Sequence, residues 1–238
     1  MSTEAKTMTF IDHLEDLRWV LIRCLIAIML CAIPCGVFWK RIFELFTVYP
    51  LSLSTPTPLI IYTAPAEGVM LSIKISLIGG FIVATPFIFW QIWSFVAPGL
   101  YKKEKLVTLS VVMASTICFI SGFTFCYYLL PLIMKFLTGF TTGMIEPFFR
   151  VEEYLGFLIT MNIAFGVAFE LPVIAFVMTK LSVIDHRFLI KYFRYIIVGI
   201  FILAAVLTPP DVLSQIMLAL PLMVLYLISI IVAKMAKS

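Results

Sequence analysis

Apolar residues fall in six long blocks along the chain, divided by shorter polar segments, and within a block no polar face recurs at helix or strand period. The blocks are Trp19–Phe38, Gly68–Val96, Leu106–Leu130, Leu155–Met178, Tyr192–Leu207 and Val212–Ala233. Segments that are apolar all round and about 20 residues long predict membrane-spanning helices, since barrel strands alternate at every second position. Pro34, Gly79, Gly80, Pro86, Gly122, Pro172 and Pro221 lie inside the blocks. Membrane helices tolerate both residue types, at kinks and close contacts. The second block should run about 43 Å and the fifth about 24 Å, against a hydrocarbon core of about 30 Å. The predicted architecture is therefore an all-α integral membrane domain over residues 1–238, with short fifth and sixth helices on one deficient side.

Two long polar segments separate the blocks. Lys40–Glu67 carries Pro50, Pro56, Pro58 and Pro65 among serines and threonines, and predicts an ordered cap over a linker; Lys135–Tyr154 is the second. Composition agrees with the pattern: 63% of residues are hydrophobic and 13% charged, with a mean hydropathy of +1.12. With the N-terminus in the cytoplasm, twelve lysines and arginines fall on that side. Lys40, Arg41, Lys135 and Arg150 fall on the other, and Lys74 sits inside the second block. This positive-inside bias predicts both termini in the cytoplasm. The net charge of +4 then reflects topology and contact with membrane lipid, not nucleic acid. A polar stretch precedes the first block, so no cleavable signal peptide is expected. Cys24, Cys31, Cys35, Cys118 and Cys126 all fall within blocks, without metal-type spacing, and read as small packing residues.

Four segments carry candidate chemistry. Thr9-Phe10-Ile11-Asp12 has the form of a capping box, so the first helix should begin ahead of the membrane. It carries Asp12, Glu15 and Asp16 to its surface. Such acids either form a solvated face, with Glu15 paired to Arg18, or receive a cationic partner. The second segment, Phe95 to Glu104, contains the Pro98-Gly99 turn and an acid at the start of the third block. A carboxylate there favours the helix N-terminus and is a weak signal alone. In the third, Ala164 to Pro172, Glu170 stands alone in an apolar run. An ionisable residue there costs about 2.5–3.5 kcal/mol on insertion scales and marks a functional site. Pro172 frees the carbonyl of Ala168, opening the helix beside the acid. The fourth, Thr208-Pro209-Pro210-Asp211 through Gln215, is a tight turn, with Asp211 as a helix N-cap. Thr208 and Gln215 could bond each other's helices or bind another helix.

Together the four segments resemble the TatC family, the polytopic subunit of the twin-arginine protein translocase. The matching pieces are His13-Leu14-Glu15-Asp16-Leu17-Arg18, Phe95 through Glu104, Ala164 through Pro172 and Thr208 through Gln215, in order on six spans. The resemblance implies a receptor in the bacterial cytoplasmic (inner) membrane for twin-arginine signal peptides of folded cargo, driven by the proton-motive force. It implies docking through Glu15 or Asp16, with Arg18, Phe95 and Glu104. Asp16 stands where the family usually carries Glu. It also implies a cupped, glove-like bundle with Glu170 on its concave face. Thr208 and Gln215 would meet single-span TatA/TatB-type subunits beside the Pro209-Pro210-Asp211 turn, within a homo-oligomeric part of a larger complex. No cofactor or metal is implied. No nucleophile–base pair, P-loop or HExxH stands in the sequence, which argues against an enzyme. The alternative is a proton-coupled secondary transporter using Glu170. Such transporters carry internal repeats, and none is visible here.

Overall fold

In the computed structural model of the protein, residues 10–53, 59–96, 105–139, 148–207 and 212–237 are described. Four helices carry the first half of the bundle and its cap: α1 (Phe10–Val37), α2 (Trp39–Phe43), α3 (Tyr49–Ser52) and α4 (Glu67–Val96). A π-helical turn, Glu44–Val48, joins α2 to α3. α5 (Lys105–Thr138), α6 (Val151–Phe169), α7 (Leu171–Lys180), α8 (His186–Lys191), α9 (Phe193–Leu207) and α10 (Val212–Lys237) complete it. Two strands, β1 (Leu59–Ile61) and β2 (Phe148–Arg150), pair in parallel.

Among the described residues, five segments are long and apolar enough to cross a membrane, with α9 as a shorter sixth. Hydropathy located these elements well and their ends less well. The third span continues past Leu130 to Thr138. Pro131 does not end it, because Ile133 and Met134 beyond the proline are buried in the core. The fourth begins at Val151, since Glu152 and Glu153 in its first turn find partners outside the apolar zone. Glu152 accepts from Lys74 at 2.7 Å and Glu153 from Arg150 at 2.9 Å. Lys74 therefore snorkels to the membrane boundary. The sixth runs on to Lys237.

α1 packs along α4, and the approach is close enough to require glycine. A Cβ at Gly80 would stand 2.6 Å from the Ala32 nitrogen. Small residues at such seams let membrane helices approach backbone to backbone. The largest core cluster joins α5, α6, α9 and α10 around Cys126, Met161, Phe165, Ala204, Leu218 and Tyr226. A second joins α4, α5 and α7 through Trp93, Val111, Val112, Val173 and Val177.

The described parts of the polar segment after α1 fold as a cap of short helices and a strand, and its strand pair was not foreseen. Ile60 and Phe149 face each other across β1 and β2 and pack on a core of Leu51, Leu130, Met134, Tyr154 and Leu158. The π-helical turn leaves carbonyls outside the usual ladder. Those of Leu45 and Thr47 accept the hydroxyls of Tyr127 (2.9 Å) and Tyr154 (3.3 Å). Arg150 ties the strands' ends together. Its Nε donates to Thr63 Oγ1 at 3.2 Å, and a second guanidinium nitrogen lies 3.7 Å from Glu67. Glu67 in turn accepts the Thr63 amide at 2.8 Å and bonds the Thr63 hydroxyl.

The start of α1 and the last turns of α10 lie at the end of the bundle opposite this cap. His13 of α1 stacks on Phe95 of α4, and Val232 of α10 lines a groove with Ser110 of α5.

Candidate functional site

The start of α1 and the end of α4 form a groove of about 250 Å³ lined by His13, Asp16, Trp19, Arg23, Gln91 and Phe95, among others. α1 places His13, Asp16 and Trp19 within two turns, while α4 contributes Gln91 and Phe95, one turn apart. The His13 and Phe95 rings stack at 4.3 Å with 12° between their planes, which fixes the two helix ends against each other. Asp16 and Arg23 are exposed, and Trp19 is half exposed. Asp16 and Phe95 thus meet in one place. Glu15 and Arg18 are exposed on the same helix, outside the groove lining. Among the described residues no ion pair joins Glu15 to Arg18. Glu104, Thr208, Pro209, Pro210 and Asp211 lie outside the described residues, as do Thr9 and the side chain of Asp12. Sequence reasoning missed His13, Trp19 and Gln91 as groove residues. The i, i+3, i+6 spacing of His13, Asp16 and Trp19 was the available signal.

Glu170 sits where α6 ends and α7 begins. Its N–H turns back to the Val167 carbonyl at 3.1 Å, and its own carbonyl accepts Ile174 N–H at 2.9 Å. Pro172, in the first turn of α7, accounts for the break. Glu170 is only 5% exposed. It lies within a membrane-length segment, buried among neighbouring side chains where α6 meets α7. Ser115 of α5 approaches the carboxylate, yet neither carboxylate oxygen has a hydrogen-bond partner of ordinary geometry. The Ser115 hydroxyl accepts Trp93 Nε1–H at 2.8 Å. Trp93, Ser115 and Glu170 therefore form a buried polar group joining α4, α5 and the α6–α7 break. Lys74, the cation inside the second block of the sequence, is engaged by Glu152 and is not a partner of Glu170.

In the α9–α10 hairpin, Gln215 Nε2 donates to the Phe201 carbonyl at 3.0 Å. Of the two alternatives for Gln215, this is the bond between neighbouring helices. Among the described residues, no three His, Cys, Asp or Glu gather closely enough to hold a metal ion.

The family model for Sec-independent protein translocase protein (TatC) matches residues 12–221. The chain belongs to the TatC family. A TatC protein of Helicobacter pylori (strain J99) is 42% identical over 224 residues, 94% of this chain and 88% of that protein. One of Aquifex aeolicus is 38% identical over 232 residues, covering 96% of each. A crystal structure described as the twin arginine translocase receptor TatC superposes with a TM-score of 0.85 at 38% identity. It covers 95% of this chain and 100% of that one. This TatC-family chain is thus a helical membrane protein of a protein translocase family, and the alternative of a proton-coupled secondary transporter falls away.

Proposed function

We propose that the chain is the receptor and core subunit of a twin-arginine protein translocase in the bacterial inner membrane, with no enzymatic activity and no cofactor of its own. Both termini and the α1–α4 groove face the cytoplasm in this reading, which the distribution of lysine and arginine supports. The observation that carries it is the meeting of Asp16, Trp19 and Phe95, distant in sequence, in one exposed groove. A carboxylate accepts a guanidinium through two parallel hydrogen bonds, and an indole face stabilises the same planar cation. An ammonium can sit over the ring but forms neither the paired hydrogen bonds nor a flat stack, so a paired-arginine signal is preferred to paired lysines. Glu15 or Asp16 takes one arginine and Glu104 the other. Phe95 and Arg18 border the site.

Single-span TatA/TatB-type subunits pack on the α9–α10 hairpin near Thr208 and Gln215, in a complex holding several copies of this chain. Folded cargo then crosses at the expense of the proton-motive force. A 15-residue α9 spans about 22 Å, less than the hydrocarbon core, which supports a locally thinned bilayer there.

The test is a photocrosslinking residue at Gln91. It should form an adduct with a precursor bearing a twin-arginine signal and little with its Lys-Lys counterpart. Equal adducts from both, or an adduct unchanged by Asp16→Ala with Glu15→Ala, would contradict the reading.

A further inference from the structure

A second groove, of about 540 Å³, runs between three other helices. Ser110 and Ala114 of α5, Val173 and Phe176 of α7, and Val232 of α10 line it, and its walls are almost wholly apolar. All of these residues lie inside membrane-length segments, so the groove opens at bilayer depth. Val173, Phe176 and Lys180 follow at i, i+3 and i+7 and so share one face of α7. Lys180 therefore stands at the groove's outer end, about 10 Å along the helix from Val173. α5 begins at Lys105, five residues before Ser110, and Lys234 follows two residues after Val232. All three helices thus reach the same membrane boundary beside a lysine. Lys180 and Lys234 are exposed and enter no ion pair among the described residues. The nearest following acid, Asp185, is taken by His186 at 2.6 Å.

We propose that this groove binds one anionic phospholipid. An acyl chain lies along Ala114, Val173, Phe176 and Val232, and the phosphate rests on Lys180; Lys234, two residues past Val232 and so on another face of α10, adds only positive charge at the same boundary. Both halves of the occupant follow from the site. An apolar trench at bilayer depth selects a hydrocarbon chain, and a lysine-bordered boundary selects a negative headgroup. The receptor reading enters only in naming the leaflet: the cytoplasmic one supplies the lipid.

The experiment uses the full chain in phosphatidylcholine nanodiscs with a trace of photoactivatable phosphatidylglycerol or, separately, photoactivatable phosphatidylcholine. Labelling is mapped by peptide. The phosphatidylglycerol probe should concentrate on α5, α7 and α10 at the groove. Lys180→Gln should lower that labelling about fivefold, the worth of one lysine against an anionic headgroup, while phosphatidylcholine labelling stays the same. Lys135→Gln, at the other end of α5, should change neither. Ala114→Trp should reduce labelling by occupying the groove. Three results would overturn the proposal: equal labelling by both probes, labelling spread evenly over all lipid-facing helices, or no effect of Lys180→Gln. A protein adduct across the groove in place of lipid would do the same. Lys180→Gln should leave the Gln91 signal-peptide adduct intact, so the two proposals fail separately.

Discussion

Replacing Gly80 with alanine tests the seam that holds α1, and with it Asp16, in place. The added Cβ would stand 2.6 Å from Ala32 N and 2.8 Å from both Ala32 Cα and the Ile28 carbonyl oxygen. Ordinary carbon contacts are about 3.5–4.0 Å, so α1 and α4 must part by about 1 Å. The obstructing atoms are backbone, which no rotamer change relieves. Overpacking of this kind costs about 1–3 kcal/mol, while alanine recovers at most about 1 kcal/mol of helix propensity over glycine. The middle of the first range less the whole of the second leaves a net loss of about 1 kcal/mol. Gly156 in α6 supplies the control, because a Cβ there meets nothing within 4 Å. Gly156→Ala should be neutral or stabilising by up to about 1 kcal/mol. Thermal unfolding of the purified protein in one detergent reads both, at about 2–4 °C per kcal/mol for a chain of this size. Gly80→Ala should also weaken the signal-peptide adduct at Gln91, since α1 carries one wall of that groove. A Gly80→Ala protein as stable as wild type, or a Gly156→Ala protein that loses more, would refute the packing argument.

Ser115→Ala should leave the buried Trp93 indole N–H without its acceptor, a loss of about 1–3 kcal/mol, visible as a lower unfolding temperature and a changed tryptophan emission. An unchanged spectrum and stability would remove the Trp93–Ser115–Glu170 group from the account. Gln215→Leu should break the bond to the Phe201 carbonyl at a cost of about 0.6–2 kcal/mol and weaken crosslinks between α10 and a single-span partner; intact partner crosslinks would restrict Gln215 to holding the hairpin. In a background without native cysteines, Ser52→Cys should react with an impermeant thiol reagent added outside cells and Arg187→Cys should not; the reverse pattern would invert the topology.

The spans were legible because hydropathy is summed over some twenty residues, and a single misplaced residue hardly moves the sum. Their ends were less so. Leu132–Met134 continues the apolar pattern past Pro131, and Glu152 and Glu153 belong to the fourth span only because Lys74 and Arg150 meet them. The break at Glu170 could be read from Pro172, since a missing N–H has a local effect. The depth of Glu170's burial could not, because it depends on Ser115 and Trp93 packing from other helices. β1 and β2 are three residues each, too short for periodicity to register, and they are held by contacts across more than eighty residues. Asp16 stood out as part of an acidic cluster and by family resemblance, and Phe95 by resemblance alone. His13, Trp19 and Gln91 joined them only when α1 was laid against α4.

The central claim is that Asp16 of the α1–α4 groove, together with Glu15 and Glu104, reads paired arginines, and the most direct measurement is equilibrium binding of a twin-arginine signal peptide and its Lys-Lys counterpart to the protein in nanodiscs. The second hydrogen bond of a bidentate arginine–carboxylate pair, which lysine does not make, is worth about 1.5–3 kcal/mol, so the arginine peptide should bind at least about tenfold more tightly. In Asp16→Asn combined with Glu15→Gln and Glu104→Gln, that preference should shrink to within about twofold. A preference that persists undiminished in the triple variant, or no preference in the wild-type protein, would contradict the account.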